Sequence, residues 1–483
     1  MLRGMKLRVL ETSLFVNDLT TRIPFRYGIT TLTRVPHLFA RATVEIDGRI
    51  FHGLAADNLV PKWFTKNPAT AFRDDILEII EVIQQACARA VEAGPQPSVF
   101  ALWQVVHAAQ AAWGATRGYP PLLWHFGVSI VERVVIDAFC QARGLTFAEA
   151  VRENALAIEW GAVHAELSGG EVDFLPAAPL GSILARHTVG LTDPLTVAEI
   201  PAGERVLDGL PQALEECVAR YGLTHFKIKL GGDIARDRAR MRALADQLER
   251  SVPGCAFTLD GNENYREVAP FRVLWEEFLA DPVIARFLRR LIFVEQPLHR
   301  DVALTPATTA ALLAWAERPP MIIDESEGDL DALPTALDGG YAGTSHKNCK
   351  GVIRGLANAA LIAHRRRLEP GRAFHFSGED LTNLGPVALL QDLAVAATLG
   401  IASVERNGHH YFAGLSQFPA SVQRATLALH GDLYEAHERG FPTVRVEQGR
   451  IDTHSVLAAP FGSRVPIDPA EFIPLENWRP DGL

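Results

Sequence analysis

The sequence predicts an α/β protein, a (β/α)8-type barrel carrying an N-terminal α+β capping domain that the C-terminal segment completes. Three observations predict it. From about residue 183 to residue 406, short β-branched and aromatic runs alternate with helical stretches, the rhythm of a parallel barrel. Three of those runs, CAFTLD, LIFVE and MIID, stop at a carboxylate: Asp260, Glu295 and Asp324. Before them, the chain reads as strands followed by helices rather than as alternating units.

A length of 483 residues exceeds one small core, so a barrel with an added domain is the natural expectation. The boundaries predicted are residues 1–165 for the cap, 166–430 for the barrel and 431–483 for the returning segment. A net charge of −10, spread along the chain, argues against nucleic acid as a partner. The five cysteines are scattered and lack CxxC spacing, which speaks against a disulfide framework and against a zinc site. A reducing cytoplasm fits that usage. The first residues lack the uninterrupted apolar core of a signal peptide. The most membrane-like stretch, residues 386–404, contains Gln391 and Asp392 and reads as a buried helix running into a strand. No membrane segment is expected.

Along the chain, LRVLETSLFVN and HLFARATVEIDGRIFHG predict a meander, with a hairpin turn at Asp47-Gly48. Helices follow. Ile76, Ile79, Ile80 and Ile83 fall on one stripe of a helix closing at Gly94, and a second helix closes at Gly144. A stretch rich in Gly, Pro and Ala over residues 170–211 marks the domain junction, with the first barrel strand near Ile183 to Val189. Then come the strands THFKIKL, CAFTLD, LIFVE, MIID, GTSHKN, AFHFSG and IASVER, separated by helical segments. TVRVEQGRIDTH is again β-like and is expected to return to the cap.

In such a barrel the chemistry lies at the C-terminal ends of the strands. Asp260, Glu295 and Asp324 would meet there, three hard oxygen ligands of the kind that Mg2+ takes. Lys227 and Lys229 are two apart on one strand, so the pleat points both the same way. Lys347 reaches the same rim. Buried ammonium groups are costly without anions, and the carboxylates supply them.

These residues resemble the enolase superfamily, in particular the branch of muconate lactonising enzyme and mandelate racemase. The matches are K-x-K at Lys227 and Lys229, D-x-N at Asp260 and Asn262, and V-E-Q-P ending at Pro297. D-E-S at Asp324–Ser326 and K-x-x-K-G at Lys347–Gly351 complete the series, in family order. The resemblance implies a modified TIM barrel with Asp260, Glu295 and Asp324 holding Mg2+, or Mn2+ in its place. It implies Lys229 and Lys347 as acid/base groups, Lys227 polarising a substrate carboxylate, and Glu325 beside a lysine or ligand. The family abstracts the α-proton of a small-molecule carboxylate to form an enediolate. Racemisation or epimerisation, cycloisomerisation and elimination all remain open. A second ammonium and a dication nearby are expected to depress the basic lysine to a pKa of roughly 7–8.

Two alternatives stand beside this reading. One is an acid-sugar dehydratase of the mandelate racemase type, with His375 as its base. The other is a non-catalytic binding or scaffold barrel. Substrate contacts are expected from Asn262, Glu325, His375 and Glu405, and from the cap at Arg26 and Tyr27, where Arg26 suggests an anionic distal group. His409-His410 could line the pocket or a surface loop. Family members are often oligomers, so the resemblance allows a homo-oligomer.

Overall fold

Alternating burial along the first fifty residues builds a long antiparallel meander: β1 (Leu7–Tyr27), β2 (Thr30–Ile46) and β3 (Arg49–Asn58). The structure, a computed structural model, describes residues 5–169 and 173–480. The expectations touching residues 1–4, 170–172 and 481–483, where the cap, the junction and the final segment begin or end, lie outside the described residues. Asp47 and Gly48 both take positive φ, 50° and 80°, and turn β2 into β3, as a two-residue hairpin requires.

Helices α1 (Phe72–Glu92) and α3 (Pro121–Arg143) pack on this sheet, and α2 (Val99–Arg117) packs on both of them. The isoleucine stripe of α1 is buried as expected, and Gly144 closes α3 in the left-handed conformation. Helix α3 lies directly on β3 because residue 53 is glycine; a Cβ there would sit 1.9 Å from the Val134 carbonyl oxygen. In the same contact the fully buried Arg133 donates to Asp57 Oδ2 and to the Ala56 carbonyl, each at 2.9 Å.

The barrel strands are β4 (Ser182–Val189), β5 (His225–Lys229), β6 (Ala256–Asp260), β7 (Leu291–Glu295), β8 (Met321–Ile323), β9 (Gly343–His346), β10 (His375–Gly378) and β11 (Ser403–Arg406). Each runs parallel to the next, and β11 pairs back onto β4 from Ser403↔Leu184 to Arg406↔His187. The result is a closed eight-stranded parallel barrel with a separate antiparallel cap sheet, the architecture that the sequence predicts.

After the barrel come a small hairpin, β12 (Tyr434–Ala436) with β13 (Pro442–Val444), then β14 (Arg450–Asp452) and β15 (Ile473–Pro474). Here one expectation needs correction. The EQGRI turn does not run back to the cap; β14 pairs antiparallel with the first residues of β4, Ile451 opposite Ile183. Strand β4 begins before its neighbour β5, whose pairing starts only at Arg186↔His225. That leaves free backbone groups at Ser182–Leu184, and β14 satisfies them. It is β15 that reaches the cap, adding to the edge of β1.

Two cap segments reach the C-terminal rim of the barrel: the tip of the β1–β2 hairpin and the stretch after β3. Asn58 ties the second one down, donating to the carbonyls of Leu381 and Thr382 at 3.0 and 3.2 Å. Among the described residues, no helix is long and apolar enough to cross a membrane. All five cysteines are buried and free.

Candidate active site

The pleat brings five carboxylates and three ammonium groups to one level of the barrel. Lys227 and Lys229 project inward from β5, Asp260 and Glu295 end β6 and β7, and Asp324, Lys347 and Glu379 follow β8, β9 and β10 directly. Glu405 comes from β11. All are buried.

Lys227 sits at the centre. Its ammonium lies 2.9 Å from Glu295 Oε1, 3.0 Å from Glu379 Oε2, 2.9 Å from Glu405 Oε2 and 3.0 Å from Asp260 Oδ2. Lys229 donates to Asp260 Oδ2 at 2.6 Å. Lys347 donates to Asp324 Oδ2 at 2.5 Å and Glu379 Oε2 at 2.8 Å, with its ammonium 5.2 Å from the centre of the Trp63 ring. Strands β5 and β9 stand four places apart in a ring of eight. Lys229 and Lys347 therefore come from opposite sides of the mouth.

The surrounding residues hold these groups in place. Ser345 donates to Asp324 Oδ1 at 2.5 Å, and Thr188 donates to Glu405 Oε1 at 2.6 Å. Below them the buried Arg186 donates to Ser377 Oγ at 2.6 Å and reaches Glu379 Oε1 at 3.4 Å. Lys350 is a structural neighbour, donating to Glu327 Oε2 at 2.7 Å.

The expected depression of a lysine rests on a nearby dication as well as a second ammonium, and the protein's own charges act the other way. Burial alone pulls Lys229 and Lys347 down, but Asp260 raises the first, and Asp324 with Glu379 the second, above their ordinary values. Lys227 shares these carboxylates and pulls the other way, but the carboxylates outweigh it, so each ammonium keeps its proton. A neutral lysine near pH 7 requires those carboxylates to be shared with another positive charge. Glu295 carries the strain of the opposite sign: burial and then Glu379 push its carboxyl well above the usual range. Burial and Asp324 push Glu325 up to about 8.

That surplus of negative charge suits a hard divalent cation. Glu295, Asp324 and Glu379 each offer a carboxylate oxygen, all within 4.8 Å of one another. Glu295 Oε2 accepts no hydrogen bond although buried, with Lys227 Nζ 2.8 Å away. An all-oxygen set of this kind matches Mg2+. Asp260, the expected third ligand, instead stands beside Lys229 and Lys227.

Above the charged floor is an open cavity lined by Lys229, Lys347, Asp260, Asn262, Glu325 and Glu405 among others. Its cap wall is mostly apolar, with Phe25, Tyr27, Val60 and Trp63, and its Lys62 is paired with Asp75. Tyr27 lines the cavity with its hydroxyl donated to the Pro61 carbonyl at 2.8 Å. Lys66 and Arg300 also reach the wall, but both are bound to Glu263, at 3.2 and 2.8 Å.

Several expected contacts are not there. Arg26 is exposed, because β1 alternates and Phe25 and Tyr27 take the inward positions. His375 is the first residue of β10, so it lies at the opposite end of the barrel, beside Phe293 at a ring distance of 5.5 Å. A dehydratase base at that position would be remote from the carboxylates. His410 is buried and His409 half-buried against His187, and neither lines the cavity. The sequence reading missed Glu379 and Arg186. Glu379 had a signal, since AFHFSGE is one more β-run leading to an acid.

The fold is that of the mandelate racemase/muconate lactonizing proteins and of other enolase-superfamily members. A mandelate racemase/muconate lactonizing protein from Herpetosiphon aurantiacus superposes with a TM-score of 0.58 at 15% identity, covering 95% of this chain and 99% of its own. N-succinyl Arg/Lys racemase from Bacillus cereus gives 0.55 at 14%, covering 93% and 97%. An enolase from Bradyrhizobium, complexed with magnesium and mandelic acid, gives 0.54 at 13%, covering 94% of each chain. No protein-family model and no curated protein matches the chain by sequence.

Proposed function

We propose that this chain is a Mg2+-dependent enzyme that abstracts the α-proton of a small carboxylate, with Lys229 and Lys347 as the acid/base pair. The observation that carries the reading is their placement, on opposed strands of the barrel with one cavity between them. A substrate carbon held there presents one face to each lysine. One group can take a proton while the other returns it or assists a leaving group, so racemisation, cycloisomerisation and elimination share this site.

Glu295, Asp324 and Glu379 would hold the metal, with Asp260 as a further carboxylate at the same level. Bound there, Mg2+ supplies a positive charge that polarises the substrate carboxylate. Asp260, Asp324 and Glu379, which keep the lysines protonated, would then be shared with that charge, and an amine would move toward the neutral form a base needs. Lys227, surrounded by four carboxylates, holds the floor together and faces the substrate carboxylate. The related folds support the reading, since one is described as a racemase and another was crystallised with magnesium and mandelic acid.

The apolar cap wall favours a substrate with an apolar or aromatic distal group over the anionic one that Arg26 suggested. The test is a panel of aryl- and alkyl-substituted hydroxy acids, N-acyl amino acids and acid sugars, incubated in D2O with and without Mg2+. Exchange of the α-proton by NMR, dependent on Mg2+ and favouring apolar distal groups, is the expected result. A panel without Mg2+-dependent exchange or turnover would leave the barrel as a binding protein.

A further inference from the structure

On the outer side of strand β4, away from the carboxylates, three buried metal-ligating side chains and one half-buried one lie together. His187 is on β4, Cys217 on the helix Leu214–Tyr221, and His409 and His410 on the short helix Gly408–Tyr411. One ligating atom from each of His187, Cys217 and His410 lies within 4.8 Å of the others. Cys217 Sγ is 3.6 Å from His410 Nδ1, and His187 Nδ1 is 3.2 Å from His409 Nε2.

We infer that His187, Cys217 and His410 form a second metal site, a buried zinc centre distinct from the carboxylate site. A tetrahedral Zn2+ with Zn–S of about 2.3 Å and Zn–N of about 2.0–2.1 Å holds its sulfur and nitrogen ligands about 3.6 Å apart. That is the spacing between Cys217 Sγ and His410 Nδ1. The donor set of one thiolate and two imidazoles selects a soft or borderline ion over Mg2+. His409 is placed as the outer partner: its hydrogen bond to one ring nitrogen of His187 fixes that ring's tautomer and leaves the other nitrogen for the metal. On binding, the Cys217 thiol releases its proton to solvent and the thiolate charge is taken up by the ion.

The position gives such a centre a role. His187 pairs with Arg406 across the seam where β11 closes onto β4. His410 is reached from the cap, its carbonyl accepting from Arg22 Nη1 at 3.0 Å. A zinc ion here would fasten the first strand, the first barrel helix and the segment after the eighth strand. Glu405 near the end of the eighth strand and Asn407 at the start of that segment both line the cavity. The scattered cysteines argued against zinc on spacing alone; these ligands come from three separated segments and meet only when the barrel closes.

The test uses the full chain, purified, treated with a chelating resin in excess Mg2+ to keep the carboxylate site filled, and then given one equivalent of Zn2+ or Co2+. The expected result is one tightly retained zinc per chain, with an X-ray absorption shell of one sulfur plus nitrogen donors. Co2+ should give a thiolate charge-transfer band that Cys217→Ser abolishes. Failure to retain zinc, a shell without sulfur, or a band that survives in Cys217→Ser would each overturn the assignment. If Cys217→Ser fails to fold, the wild-type shell and band decide the matter alone.

Discussion

Lys227 and Glu295 form the centre of the barrel mouth: the Lys227 ammonium lies 2.9 Å from Oε1 and 2.8 Å from Oε2, with both side chains sealed from solvent. Removing one partner of such a pair leaves a buried charge without compensation. Lys227→Met should therefore cost about 3–5 kcal/mol of stability in Mg2+-free buffer. Urea unfolding measures it. A loss near zero would mean that the carboxylates around Lys227 are already neutral.

Glu379 is the carboxylate that brings the metal reading and the lysine reading together, since it accepts from both Lys227 and Lys347. Glu379→Gln keeps its shape and removes its charge. The rise in melting temperature that Mg2+ gives the wild type should shrink sharply in this variant, and Mg2+ affinity should fall by at least about tenfold. An unchanged Mg2+ response would move the third ligand back to Asp260.

His375 separates the two enzymatic readings, because it lies at the far end of β10 from the carboxylates. His375→Asn should leave α-proton exchange unchanged. Loss of exchange in a folded His375→Asn protein would revive the dehydratase mechanism.

Asp137 predicts a pH dependence away from the mouth. Burial pushes its carboxyl from 3.8 up to about 7, although the Leu54 amide and the Gln141 side chain donate to it at 2.9 and 3.0 Å. Between those values the unfolded chain has lost a proton that the folded chain keeps. Stability from this group is therefore full below pH 4 and falls as pH rises toward 7. Asp137→Asn retains an accepting oxygen and removes the charge, so its melting temperature should exceed wild type at pH 8. The advantage should vanish by pH 4, and thermal melts at the two pH values check the sign.

What was legible in the sequence was local. A β-run ending at an acid is contiguous, so Asp260, Glu295 and Asp324 could be read directly, and the two-residue spacing of Lys227 and Lys229 gave their common direction. The same parity rule applied to β1 places Phe25 and Tyr27 inward and Arg26 outward, a signal present but overridden by charge. Glu379 was obscured because Gly378 ends its strand and His375 begins it. Arg186 could not be found this way, since an arginine inside a barrel is exceptional and its partners, Ser377 and Glu379, lie far along the chain. The lysine electrostatics were not legible either, because they depend on how many carboxylates crowd each ammonium in three dimensions.

The most direct test of the opposed-lysine reading follows α-proton exchange in D2O, with Mg2+ present, on each enantiomer of a turned-over substrate. It compares Lys229→Ala and Lys347→Ala with the wild type. Each variant should lose exchange on the enantiomer whose α-proton faces the missing amine, by roughly 10²–10⁴-fold. The other enantiomer should retain measurable exchange. Undiminished exchange of both enantiomers in either variant would contradict the account.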